Sequence, residues 1–316
     1  EETYQVERRV LETALQHLMR TREGLDIETG VQVKIRNSDL EGDRKILACQ
    51  DSDGEDFTVQ ARVVCDASGP ASLLPRHFKT YRKAPDLHDT FSYNSYFAYF
   101  RQKEKMPVDF WDYPATRHIC FPEGWLWFIS LISWEQTSQD KIESMVEFLL
   151  ENPTATDDDL PPREILAKQF DAGYEPIFSI GFTIRTDRDV EGMSIQDRFE
   201  HWVNSYPATK WVMDHFELIE APYEGKQRSH FAFMNFLHDT THVAGDGWCA
   251  IGDTAIFINP FLSLGLNYGT GTAYMAAKDT AAGLDAGNVS ASAFGNYQAY
   301  ATAIFEQKVR ETDMYY

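Results

Sequence analysis

A chain of 316 residues with 43% hydrophobic and 14% aromatic side chains is long enough to bury a substantial core and too apolar to be disordered. Its net charge of −20 opposes nucleic-acid partners and anionic membrane surfaces by repulsion. No apolar run approaches the roughly eighteen residues needed to cross a bilayer, and no signal peptide is visible, so no membrane association and a cytoplasmic location are expected. The cysteines (Cys49, Cys65, Cys120 and Cys249) are scattered, with no C-x-x-C pair or histidine cluster, which signals neither zinc nor a disulfide framework. Cys65 and Cys249 sit in apolar runs and read as small buried hydrophobes.

Residues 6–19 carry apolar side chains at helical spacing and predict an amphipathic helix. Residues 31–35 alternate like a strand. Residues 46–48 and 57–59 flank the polar turn 51–54, which predicts a hairpin. Residues 61–66 form a mostly apolar strand that ends in Ala67-Ser68-Gly69-Pro70. The basic stretch 76–83 reads as a solvated loop, with docking of an acidic partner as the alternative. Residues 91–100, 118–134 and 228–235 are aromatic and alternating, and helical stretches are expected at 140–150, 162–170, 194–204 and 209–216. A last helix is expected over 291–311.

This order predicts an α/β fold: an incomplete Rossmann-like domain interleaved with a mainly antiparallel substrate domain covered by helices, plus a C-terminal helix. The expected boundaries are 1–82 and 241–285 for the first domain, 83–240 for the second, and 286–316 for the helical end.

Residues 247–277 are the most informative. An apolar strand ends in Gly252-Asp253, a loop with Asn259-Pro260 follows, and a small-residue helix begins after Gly265. An aspartate accepts hydrogen bonds from hydroxyls, and a helix N-terminus faces anionic charge. Together they suit a cofactor that offers both, such as a flavin. The glycine fingerprint of dinucleotide binding is missing: Gly269-Thr270-Gly271 lacks its third glycine and a leading strand, and Gly245-Asp246-Gly247 runs on into a strand.

Three segments resemble flavoprotein monooxygenases of the hydroxylase type: Tyr4-Gln5-Val6-Glu7-Arg8, Val63-Val64-Cys65-Asp66-Ala67-Ser68-Gly69 and Ile251-Gly252-Asp253-Thr254-Ala255. Two more narrow the resemblance to the flavin-dependent halogenases. Trp125-Leu126-Trp127-Phe128-Ile129-Ser130 is similar to W-x-W-x-I-P with Ser130 replacing proline. Phe257 through Gly265 is similar to F-x-x-P-x-x-S-x-G without departure.

The resemblance implies that reduced FAD, oxygen and halide together generate hypohalous acid, which halogenates an electron-rich aromatic or pyrrole substrate, free or carrier-bound, with a separate flavin reductase as partner. It assigns cofactor contacts to Gln5, Arg8, Asp66, Gly69, Gly252, Asp253 and Pro260. Halide contacts fall to Ser263, Leu264 and Gly265, and the wall between substrate and cofactor to Trp125, Trp127 and Phe257. The family's catalytic lysine would precede Glu1, and no lysine of this chain matches it. Leu262 replaces the acidic residue of tryptophan-specific members, which argues against free tryptophan as substrate.

Without the glycine turn, FAD binding by this chain is expected to be weak or absent, and a dimer or a complementary N-terminal chain is expected to cover exposed sheet edges. A non-halogenating flavin monooxygenase or dehydrogenase, or a flavin-free binding protein, stays open. So do blander roles for single residues. Asp253 could cap a turn, Gly265 could be required for positive φ, Trp125 and Trp127 could be core, and Gln5 and Arg8 could make surface contacts. His118 and His230 read as structural, and Glu123 as solvent-facing.

Overall fold

A computed structural model describes residues 8–83, 91–103, 116–133, 138–152, 170, 175–222, 227–235, 237–263 and 265–314. In chain order the elements are α1 (Arg8–Arg20), β1 (Gln32–Val33), β2 (Lys45–Gln50), β3 (Asp56–Ala61), β4 (Val64–Asp66), α2 (Leu73–His77), β5 (Tyr81–Arg82), β6 (Tyr93–Gln102), β7 (Arg117–Phe121) and β8 (Gly124–Ser133). They continue with α3 (Gln139–Glu151), β9 (Glu175–Arg185), α4 (Ile195–Ser205), α5 (Pro207–Met213), β10 (Phe216–Leu218), β11 (His230–Met234), β12 (Asp239–Thr240), β13 (Ala244–Gly245), β14 (Trp248–Ala250), α6 (Gly265–Asp285) and α7 (Gly295–Asp313).

Contacts divide the chain into two units, residues 1–27 with 94–234 and residues 28–93 with 235–316. The first is built on a sheet of order β10-β6-β9-β8-β7, with β11 also on β6. The β6–β10, β6–β11, β7–β8 and β8–β9 pairs are antiparallel. Side chains alternate across a strand, so one face carries Tyr96, Phe100, Leu126, Phe128, Ile180 and Phe182. These are buried with Phe199 and Trp202 of α4 and Val212 of α5. Each such aromatic contributes about 2–3 kcal/mol of burial. Helix α4 starts where the sequence places it, because Ser194 Oγ accepts the Asp197 N–H at 3.1 Å.

Helix α1 belongs with this unit and not with the 1–82 segment expected from sequence. Its Val10 and Ala14 pack on Ile142, Met145 and Val146 of α3, and Gln139 Nε2 donates to Thr13 Oγ1 at 3.2 Å. Packing of its apolar stripe decides its place, and periodicity cannot say which partner that stripe meets. The helix expected over 162–170 lies outside the described residues apart from position 170.

The second unit holds the hairpin meander β1-β2-β3, the pair β12-β5 and the sheet β13-β14-β4. Strand β1 is shorter than the alternating run 31–35, since Ile35–Asn37 turns into 3-10 helix. The β4–β14 pair is parallel, with Cys65 opposite Cys249 and Asp66 opposite Ala250. Helices α6 and α7 pack in the same core, where Tyr268, Ala276, Phe294, Tyr297 and Ala301 are buried with Trp248 and Cys249. The last segment is therefore part of this unit and not a separate 286–316 element. Buried Asp279 of α6 holds it there, accepting from Tyr297 N at 2.8 Å and Asn296 Nδ2 at 3.1 Å.

Three local readings change. Cys65 is exposed, because its strand has a neighbour only on one side among the described residues, while Cys249 is buried as expected. In the basic stretch, Arg82 is bidentate to Asp239, both bonds 2.7 Å, and the Arg76 guanidinium lies 3.6 Å from the Tyr81 ring centroid. Glu123 is not simply solvated, since it accepts the Tyr206 hydroxyl.

Candidate functional site

Two of the three cofactor segments of the sequence lie at the ends of the two parallel strands. Where β4 stops, Asp66 Oδ1 accepts Ser68 N–H at 2.9 Å and Oδ2 accepts Leu74 N–H at 2.6 Å. The buried carboxylate thus folds the D-x-x-G turn and starts α2. Its oxygens serve the protein's own backbone, so what this turn presents outward is main chain. Gly69 adopts φ +61°, which a side chain would strain.

Where β14 stops, Ile251 N–H donates to Asp66 O at 2.9 Å and Gly252 turns at φ +55°. Gly69 N–H donates to Thr254 Oγ1 at 2.7 Å and Gly252 N–H to Thr272 Oγ1 at 3.0 Å. Thr254 and Thr272 are both fully buried. Two turns 185 residues apart are stitched into one structure and pinned to α6. Neither threonine stands out in the sequence, because each acts through a partner far along the chain.

His238 fixes the far side of the loop. It is buried, its Nε2 donates to Asp253 O at 2.9 Å, and its backbone pairs with Phe257 in both directions at 2.9 Å. Beyond Phe257, Asn259 Oδ1 accepts Phe261 N–H at 2.8 Å, which turns the chain ahead of exposed Pro260. Ser263 N–H closes a 3-10 turn onto Pro260 O at 3.0 Å. That amide is engaged, so Ser263 does not offer it to an anion as the resemblance implied. Ser263, and not Gly265, carries the positive φ, +54°. Gly265 opens α6, so its φ is helical; the space around it is open. Leu264 and Gln5 lie outside the described residues.

A flavin carries a hydroxylated chain and a diphosphate, and the residues fit the first of these. Tyr268, in the first turn of α6, is 2% exposed and its hydroxyl has no hydrogen-bond partner among the described residues. Burial, and then the charge of Asp253, push its phenol above the usual range. The Lys308 ammonium of α7 lies 4.5 Å from the Tyr268 ring centroid. The Tyr268 phenol and the Lys308 amine thus both lie under the influence of the Asp253 carboxylate. The diphosphate finds no cradle among the described residues. Gly269-Thr270-Gly271 lies inside α6, and Gly245-Asp246-Gly247 is the turn between β13 and β14.

Burial holds Lys308 down at about 8, against the pull of Asp253 and Glu311 toward the charged form. Between pH 8 and 10.5 the unfolded chain keeps a proton that the folded chain has released, so stability rises with pH there. Below pH 8 both states carry it and the penalty is complete. Lys308→Met is expected to stabilise the protein at pH 7 by about 1–2 kcal/mol, after allowance for partial exposure. It should also flatten the rise in melting temperature between pH 8 and 10.5, and thermal melts across that window are the check.

The other assigned residues lie in the first unit. Arg8 is 81% exposed, and among the described residues its Nε bonds to Glu12 at 2.5 Å. Trp125 and Trp127 share one face of β8, with ring centroids 5.7 Å apart. Trp125 is buried, and Trp127 Nε1 donates to Ser179 Oγ at 3.2 Å. Phe97, Tyr99, Phe231 and Phe233 continue this face, with Phe97 within 6.0 Å of Trp127 and of each of the other three. Of this face, the W-x-W segment of the sequence contains only the tryptophans. His118 packs edge-on against Trp125 and His230 contacts Ser229 Oγ at 2.9 Å; burial lowers the pKa of both. No group of three or more potential metal ligands occurs among the described residues, and no described helix is long and apolar enough to cross a membrane.

Comparison with known proteins gives the chain's resemblances. Over 277 residues, 83% of this chain, the sequence is 31% identical to the flavin-dependent halogenase malA of Malbranchea aurantiaca. The chain is a homologue of the flavin-dependent halogenases. It spans 41% of the length of that relative. Solved halogenases share the fold. The myxobacterial chondrochloren halogenase CndH superposes with a TM-score of 0.63 at 18% identity, covering 93% of this chain and 56% of its own. The halogenase PltM in complex with phloroglucinol and FAD gives 0.62 at 15%, covering 88% and 47%. No protein-family model matches the chain. The α/β fold expected of a halogenase homologue is therefore the one present.

Proposed function

We propose that this halogenase homologue works in flavin-dependent halogenation of an electron-rich aromatic or pyrrole compound. The observation that carries the reading is the stitched pair of turns at Asp66–Gly69 and Gly252–Thr254, with Asp253, Tyr268 and the start of α6 beside it. FAD held there would supply reducing equivalents that activate oxygen. Asp253 accepts hydrogen bonds from the cofactor's hydroxyls, and Tyr268 gains the partner that its buried hydroxyl lacks. The N–H groups of the first turn of α6, from Gly265 on, bind halide at the positive end of the helix. Phe257 and buried Phe261 keep water from that anion, which leaves it poorly hydrated and more nucleophilic. Taken by itself, the unit of residues 94–234 carries an aromatic face of Trp127, Phe97, Phe231 and Phe233 that suits a flat aromatic ring. A flavin reductase supplies the reduced cofactor.

The test is made on the protein expressed from its complete gene, with reduced FAD, oxygen, chloride or bromide and a panel of phenols, indoles and pyrroles. Product carrying halogen, formed in proportion to halide, supports the reading. Oxygen uptake with only hydroxylated product at high halide sinks it and identifies a monooxygenase. For the chain as given, titration with FAD followed by absorbance is expected to show binding weaker than about 10 µM, or less than about 7 kcal/mol, because no diphosphate cradle occurs among the described residues. A tightly bound yellow protein would contradict that expectation.

A further inference from the structure

Cys65 and Cys249 form a pair that the proposed chemistry does not use. They sit directly opposite each other on the parallel neighbours β4 and β14. Adjacent strands run about 4.8 Å apart, inside the Cα separation that a disulfide spans. The sulfurs are already in contact, with Cys249 Sγ donating to Cys65 Sγ at 3.2 Å. One member is exposed and the other buried, which is the arrangement of an attacking thiol with a resolving thiol behind it. From this geometry we infer that Cys65 and Cys249 are a thiol-oxidation site that closes to a cross-strand disulfide.

The oxidant is a hydroperoxide, and hydrogen peroxide is the probe. The Cys65 thiolate attacks one peroxide oxygen, the O–O bond breaks, and water leaves after protonation, which gives a sulfenic acid. The Cys249 sulfur then attacks the Cys65 sulfur, the S–O bond breaks, and a second water leaves with the Cys249 proton. Two thiols and one peroxide become one disulfide and two waters. The hydrogen bond from Cys249 favours the first step by lowering the Cys65 pKa, while the same contact, and then burial, keep Cys249 protonated until it is needed. The link would join β4 to β14 one residue before Asp66 and Ala250, beside the turns described above.

The experiment oxidises the wild-type chain with about one equivalent of hydrogen peroxide, alkylates the remaining thiols and digests with trypsin. The expected result is a peptide spanning 63–76 linked to one spanning 229–278, lost on treatment with dithiothreitol, with free thiols falling from four to two. Cys49 and Cys120 should be recovered alkylated. In Cys249→Ser, Cys65 should stop at the sulfenic acid and be captured by dimedone. The proposal is overturned if Cys65 and Cys249 are both recovered as free thiols, if Cys65 proceeds to sulfinic or sulfonic acid without the linked peptide, or if Cys120 oxidises first. No flavin or substrate enters the measurement, so its outcome is separable from that of the halogenation test.

Discussion

Asp189→Ala is expected to destabilise the aromatic-sheet unit by about 3–5 kcal/mol, because it leaves a largely buried guanidinium without its anion. The Asp189 side chain is 4% exposed and that of Arg198 16%. Asp189 Oδ2 accepts from Asn94 Nδ2 at 2.8 Å, from Arg198 Nη1 at 3.0 Å and from the Tyr96 hydroxyl, which itself receives Arg198 Nη1 at 2.6 Å. Burial, followed by the hydrogen bond to Asp189, pushes the Tyr96 phenol well above its usual range. Three groups from β6 and α4 depend on one carboxylate in the loop between β9 and α4. Asp187→Ala provides the control. That side chain is 53% exposed and pairs with Arg185 in solvent, so its loss should cost no more than about 0.5–1 kcal/mol. Urea unfolding followed by tryptophan fluorescence measures both. Equal midpoints for the two variants would mean that the buried network contributes nothing special.

The second large effect is expected at Gly181, in the middle of β9. A Cβ built there would lie 2.3 Å from Trp127 Cζ2 and 2.5 Å from Phe97 Cβ. The strand cannot retreat, because β8 pairs along its whole length from Ile184 to Glu175 and β6 flanks it on the other side. The side chains must yield instead. Gly181→Val should cost about 1–3 kcal/mol of overpacking or more, shift Trp127 emission and break the Trp127–Ser179 bond. If the aromatic face receives the substrate ring, product formation should fall more than stability does. Gly295→Ala, where nothing lies within 4 Å, should be neutral or slightly stabilising, by up to about 1 kcal/mol. Unchanged emission in Gly181→Val would show that the face tolerates the added bulk.

Local periodicity determines several elements. The helix expected over 194–204 is Ile195–Ser205, and the helix expected over 140–150 is Gln139–Glu151. The hairpin around 51–54 and the helix after Gly265 are also in place. Each depends on residues a few positions apart: a serine at the cap, a glycine in the turn, an apolar stripe at three- and four-residue spacing. The candidate site was half legible for the same reason. Gly252-Asp253 and the start of α6 are contiguous in sequence, and the departure at the glycine fingerprint was visible there.

What remained hidden is whatever two distant segments make together. Arg82 reads as a solvated cation until Asp239, 157 residues away, is brought against it. Lys308 reads as one more charge on the last helix until α7 sets it over Tyr268. Composition and spacing were enough to settle an acidic α/β chain with a strand–turn–aspartate–helix segment, since hydrophobic pattern and turn chemistry act over one or two turns of chain. Tertiary packing alone decided that Asp66 serves its own backbone, that Cys65 meets Cys249, and that α1 joins the aromatic sheet. Such pairings are set by complementary burial and hydrogen bonding between surfaces, and a one-dimensional pattern does not record which surfaces meet.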